Sequence, residues 1–115
     1  MITATFDYTE KVYSFSVVGH AEYAEQGKDI VCASVSSLST MIANEVLNRC
    51  DNAICRVEDG LLSCQVDLNK FEHADSYHIS SLFEMLEMNL KEIEKQYPDN
   101  VKVLNDTDSA MWYDQ

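Results

Sequence analysis

The chain has 115 residues and a formal net charge of −12, from 20 acidic and 8 basic side chains. That length supports one hydrophobic core rather than two, and so acidic a surface repels phosphate backbones, which excludes direct nucleic-acid binding as a leading function. Hydrophobic residues make up 46% and there are only three Gly and one Pro, a composition that predicts regular elements with short connections, not a disordered chain.

Ile2, Ala4, Phe6 and Tyr8 alternate with Thr and Asp, the period of a half-buried strand. Tyr13, Phe15 and Val17 alternate with Ser14 and Ser16, and Thr9-Glu10-Lys11 between the two runs closes a hairpin. Periodicity then disappears from Gly19 to Lys28, which predicts a surface loop bounded by glycines. Asp29 has the chemistry of an N-cap, and Val31, Val35, Leu38, Ile42 and Val46 form an apolar stripe, so a helix is expected from Asp29 to about Cys50. Ala53 to Glu58 and Leu61 to Asp67 read as two strands joined at Asp59-Gly60, a hairpin turn signal. A second helix is expected from about Ala74 to Tyr97, with Ile79, Leu82, Phe83, Leu86, Leu90 and Ile93 facing inward. Pro98 stops it, because the residue before a proline is biased away from helix. Val101 to Leu104 makes a last strand, and residues 105–115 form an acidic, irregular tail in which Trp112 and Tyr113 are available to dock. The order ββαββαβ predicts a single α+β domain over 1–115, a mainly antiparallel sheet with two long helices packed on it.

No apolar run approaches the ~20 residues needed to cross a bilayer. The N-terminus lacks a basic segment followed by an apolar stretch, so no leader is read there. The expectation is a cytoplasmic protein without membrane contact, whose four cysteines stay reduced. Cys32, Cys50, Cys55 and Cys64 include no Cys-x-x-Cys pair, and His20, His73 and His78 are scattered, so no metal site and no cofactor are expected. Cys55 and Cys64 fall in strands and suit small core positions. His73 and His78, near the start of the second helix, suit caps or the surface.

Cys32 differs. Three residues past the expected cap, it lies in the first helical turn, where unpaired backbone N–H groups and the positive end of the helix dipole favour a thiolate. The same N–H groups suit a developing oxyanion. His20, twelve residues earlier at the end of a strand, is a candidate base that a returning chain can bring to the sulfur. Asp29, Cys32 and Ser36 share a helix face, which Ser39, Thr40 and Ala43 continue, apart from the apolar stripe. A cysteine in an amphipathic helix is nonetheless commonly packing, a histidine after a strand commonly a turn residue, and Asp29 commonly a cap alone. Spacing leaves catalysis and packing both open.

The segments Val18-Gly19-His20-Ala21 and Gly27-Lys28-Asp29-Ile30-Val31-Cys32-Ala33-Ser34-Val35-Ser36 resemble the signature of the ribosomal-processing cysteine protease Prp family. The resemblance extends to length, element order and the acidic second helix. It implies a cysteine endopeptidase that removes a short N-terminal extension from a basic large-subunit ribosomal protein during ribosome assembly. It assigns the nucleophile to Cys32 and the base to His20, with Gly19, Asp29 and Ser36 as further motif positions. Asp29 would then be the cap and a possible orienter, Ser36 a substrate or dyad contact, and Gly19 the turn of the His strand. The resemblance also implies a homodimer and a mobile loop at about Ala21 to Lys28. Charge fits such a substrate, because an acidic enzyme attracts a basic protein. Two other functions compete: a noncatalytic acidic assembly factor that holds a basic ribosomal protein, and a redox-sensing thiol at Cys32.

Overall fold

Strand alternation translates directly into one five-stranded sheet. The strands are β1 (Ile2–Thr9), β2 (Val12–Val18), β3 (Ile54–Glu58), β4 (Leu61–Asp67) and β5 (Val101–Asn105), and the helices are α1 (Ile30–Arg49) and α2 (His73–Gln96). In this computed structural model, residues 1–9, 11–25, 27–70 and 73–106 are described, the side chains of 70, 73 and 74 excepted. The expected docking of Trp112 and Tyr113 therefore lies outside the described residues, as does the side chain of His73; His78 is exposed.

The strand order is β3-β4-β2-β1-β5. Three pairings are antiparallel, and β5 joins β1 in parallel after the chain has crossed over through α2. The sheet is thus mixed, an α+β arrangement of the expected element order. Ile2, Ala4 and Phe6 of β1, Phe15 and Val17 of β2, and Leu62, Cys64 and Val66 of β4 are buried on the face that both helices cover. The opposite face carries Thr5, Asp7, Ser14, Ser16, Ser63 and Gln65, as period-2 patterning requires.

Ile79, Phe83, Leu86 and Leu90 of α2 meet Val31, Val35, Ile42 and Val46 of α1 over this face. Phe83 stands edge-on to Phe15, with ring centroids 5.6 Å apart, and Phe15 lies 5.9 Å from Phe6. Burying each such ring is worth about 1.5–3 kcal/mol. By length and mean hydropathy (20 residues, 1.5) α1 could cross a membrane, which corrects the reading that no segment approaches that size. Ser, Thr and Ala dilute its apolar stripe in the sequence, yet Val31, Val35, Ile42 and Val46 pack it onto the sheet as a core helix.

Candidate active site

The site begins with a register. β2 pairs with β4 so that Val18 lies opposite Leu61. The chain leaving β2 therefore runs beside the Asp59-Gly60 turn of the β3–β4 hairpin, and the Gly19 N–H donates to the Gly60 carbonyl at 2.8 Å. Gly19 has φ +101°, and a Cβ there would collide with the Met1 carbonyl oxygen, so both backbone angle and space demand glycine. The next residue, His20, is thereby delivered at the hairpin tip. Its imidazole is half-exposed, with Nε2 3.8 Å from Asp59 Oδ1. Gly60 leaves room for the ring: a Cβ on it would come within 3.1 Å of Nε2.

The other half of the site is the start of α1. Asp29 is the N-cap, its Oδ1 accepting from the Cys32 N–H at 2.9 Å. Oδ2 accepts from the N–H groups of Tyr23 at 2.9 Å and Ala24 at 3.3 Å, so one carboxylate fixes both the helix start and the preceding loop. Desolvation pushes this carboxyl up, but the backbone N–H groups of Cys32, Tyr23, Ala24 and Val31 outweigh it and hold the pKa below the usual carboxylate value. The loop is further tied by Asn100 Nδ2, which donates to the Ala21 carbonyl at 2.9 Å, and by an edge-on contact of Tyr23 with Tyr97 at 5.2 Å. Ala21 is buried, so the stretch expected at the surface has one anchored residue at its start.

These halves face one another across a cleft of about 470 Å³ lined by His20, Glu22, Ala24, Gly27, Asp29, Cys32, Ala33, Ser36 and Asp59. An adjoining cavity of about 360 Å³ shares His20, Cys32, Ser36 and Asp59, adds Gly19, and has apolar walls from Ile2, Val17, Val57, Leu61 and Leu62. Four of the five residues singled out in the sequence thus line one cleft, and Gly19 lines its neighbour. The arrangement offers a nucleophilic sulfur, a titratable imidazole and apolar room beside them, the components of acyl transfer. Among the described residues no cluster suited to a metal ion exists.

Two expectations change. The Cys32 amide is committed to Asp29, so it is not a free oxyanion donor, and the Asp29 charge offsets part of the helix-dipole potential at the thiol. Ser39 and Thr40 line the adjoining cavity, but Ser39 and Ala43 are not open to solvent. Both are buried, because α1 is covered by the sheet on one flank and by α2 on the other, and only Thr40 of the three is exposed. Asp59, by contrast, is in the sequence only a turn residue. Its place beside His20 follows from the β2–β4 register, which a strand-by-strand reading does not supply.

The family model for the cysteine protease Prp matches residues 1–102. The chain is 30% identical over 113 residues to the ribosomal processing cysteine protease Prp of Bacillus subtilis, covering 90% of this chain and 96% of that one. It is 26% identical over 103 residues to the protein of the same name from Staphylococcus aureus, covering 81% and 86%. Its fold superposes, with a TM-score of 0.75 and 25% identity over 91% of this chain and 99% of the other, on the crystal structure of the essential ribosomal processing protease Prp from S. aureus in complex with a covalently linked product peptide.

Proposed function

The chain belongs to the cysteine protease Prp family, and on that premise we propose that it removes a short N-terminal extension from a basic large-subunit ribosomal protein, with Cys32 as nucleophile and His20 as general base. The observation that carries this is the meeting of His20 and Cys32, from different elements, in one cleft at the start of α1. The Cys32 thiolate attacks the scissile carbonyl carbon, forming a C–S bond. The His20 imidazolium gives its proton to the leaving amine as the C–N bond breaks, leaving an acyl-enzyme. Water then attacks with His20 accepting its proton, and the C–S bond breaks to restore the thiolate. The imidazole closes on the sulfur when substrate fills the cleft, as catalytic hydrogen bonds commonly tighten on binding.

Ser36, one turn beyond Cys32 on the cleft wall, contacts substrate or the dyad, while Asp29 holds the helix start. The same reading makes the enzyme a cytoplasmic homodimer, testable by sedimentation, with the loop from Ala21 to Lys28 closing over bound peptide. The decisive experiment incubates the protein with a ribosomal protein that carries its extension and weighs the products. Release of the extension by the wild type, and by neither Cys32→Ala nor His20→Ala, is the expected result. Tight binding without a mass change in the wild type would instead favour the noncatalytic assembly factor.

A further inference from the structure

We propose that Asp59, at the tip of the β3–β4 hairpin, is a positioning residue for the proposed base, accepting the Nε2–H of His20 and turning Nδ1 toward the Cys32 sulfur. The inference rests on the Cys32/His20 reading and deepens it. An imidazole at the end of a strand, half in solvent, has two rotatable bonds. A base in that state spends much of its time turned away from the nucleophile. Three features of the hairpin tip act against this. Gly19 is hydrogen-bonded to Gly60, which fixes the backbone that carries the ring. Gly60 has no side chain, so the ring lies directly against the turn. Asp59 places a carboxylate oxygen 3.8 Å from Nε2, within ion-pair range and a small rotation from hydrogen-bond length.

A carboxylate at Nε2 leaves Nδ1 as the nitrogen available to the thiol, since each ring nitrogen takes a separate partner. Asp59 also lines both the cleft and the adjoining cavity with His20 and Cys32, so the three residues border one space. Asp59 takes no proton in the reaction and touches no reacting atom. It orients the imidazole by accepting the Nε2–H. Among the described residues, the other charged groups lining this space are Glu22 from the loop, Asp29 from the helix cap and Glu58 beside the turn. Asp59 is the one paired with the ring.

The test is steady-state cleavage of an extended ribosomal-protein peptide by Asp59→Ala, Asp59→Asn and His20→Ala, with thermal unfolding of each. Because the pair is exposed, Asp59→Ala should lower kcat roughly two- to five-fold, the size such pairs command, with KM and the unfolding midpoint unchanged. Asp59→Asn keeps an oxygen that accepts the Nε2–H and should recover most of that loss. An unchanged kcat in Asp59→Ala, with His20→Ala inactive, overturns the role of Asp59 alone. Equal losses in Asp59→Ala and Asp59→Asn also overturn it, because charge in the cleft rather than orientation would then be at work. Full activity in His20→Ala removes the dyad itself, and the proposal with it.

Discussion

Cys32 is the one cysteine whose sulfur lines an open cleft at a helix N-terminus. Cys50 is buried at the far end of the same helix, and burial and the nearby Asp51 charge push its thiol up. Burial and the hydrogen-bonded Cys55 push the Cys64 thiol well above the ordinary cysteine value, the two sulfurs lying 2.7 Å apart across the β3–β4 ladder. The thiolate is the reactive form, so limiting iodoacetamide near neutral pH should modify Cys32 first and stop cleavage in proportion. Peptide mapping gives the order, and faster labelling of Cys50, Cys55 or Cys64 in the folded protein would contradict it. Asp29 tests the neighbouring contact. Its replacement by alanine removes the acceptor of the Cys32, Tyr23 and Ala24 amides together. Loss of a cap destabilises the helix it starts, so Asp29→Ala should unfold at lower denaturant and lose turnover with it, while Asp29→Asn, still an acceptor, should lose less of both. If Asp29→Ala loses stability but cleaves at the wild-type rate, Asp29 is a cap and nothing more.

Between elements, the polar link that matters is Glu87 of α2, buried with 7% exposure. It accepts from the Tyr8 hydroxyl of β1 at 2.7 Å, Lys91 Nζ at 3.0 Å and Asn105 Nδ2 of β5 at 3.2 Å, pinning the helix over the parallel strand pair. Burial pushes the carboxyl up, but these donors and the Lys91 charge outweigh it and hold the pKa below the ordinary glutamate value. A depressed folded-state pKa means stability present above the unfolded value of about 4.3 and lost as pH falls through the lower folded value. Glu87→Gln should therefore be less stable than wild type by about 1–3 kcal/mol at pH 7, the cost of mismatched buried partners, with the gap narrowing towards pH 3. Urea unfolding at both pH values measures this, and a gap that does not change with pH would place Glu87's role in packing. This link was invisible in the sequence, where Glu87 reads as one of many helix acids. Helix and strand boundaries were legible because local chemistry sets them: Asp29 caps α1, Pro98 follows α2, and Asp59-Gly60 turns the hairpin. His20 and Cys32 were legible through a local motif. Asp59 and the burial of Ser39 and Ala43 were not, since each depends on which strand lies beside β2 and on how α2 covers α1.

At the scale of the whole molecule the question is what a net charge of −12 does. Solubility alone would account for it, yet a basic substrate adds a second consequence, faster encounter. Steering of oppositely charged partners raises association rates by ~10–10³-fold and fades as salt shortens the screening length from ~10 Å at 0.1 M towards ~3 Å at 1 M. Chemistry in the cleft responds to salt as well, through exposed pairs such as His20 with Asp59. A single substrate cannot separate the two effects, but a pair can: an intact basic ribosomal protein carrying the extension, and a short neutral peptide with the same scissile bond. If charge steers encounter, kcat/KM for the protein should fall about ten-fold or more between low and high salt, while that for the peptide changes by less than about two-fold. The drop should lie in kcat/KM and spare kcat, because encounter is complete once the enzyme is saturated. Parallel losses for both substrates would locate the salt effect at the cleft. Two flat profiles would leave the acidic surface with solubility as its use, and the enzyme would then find its substrate by the fit of the extension alone.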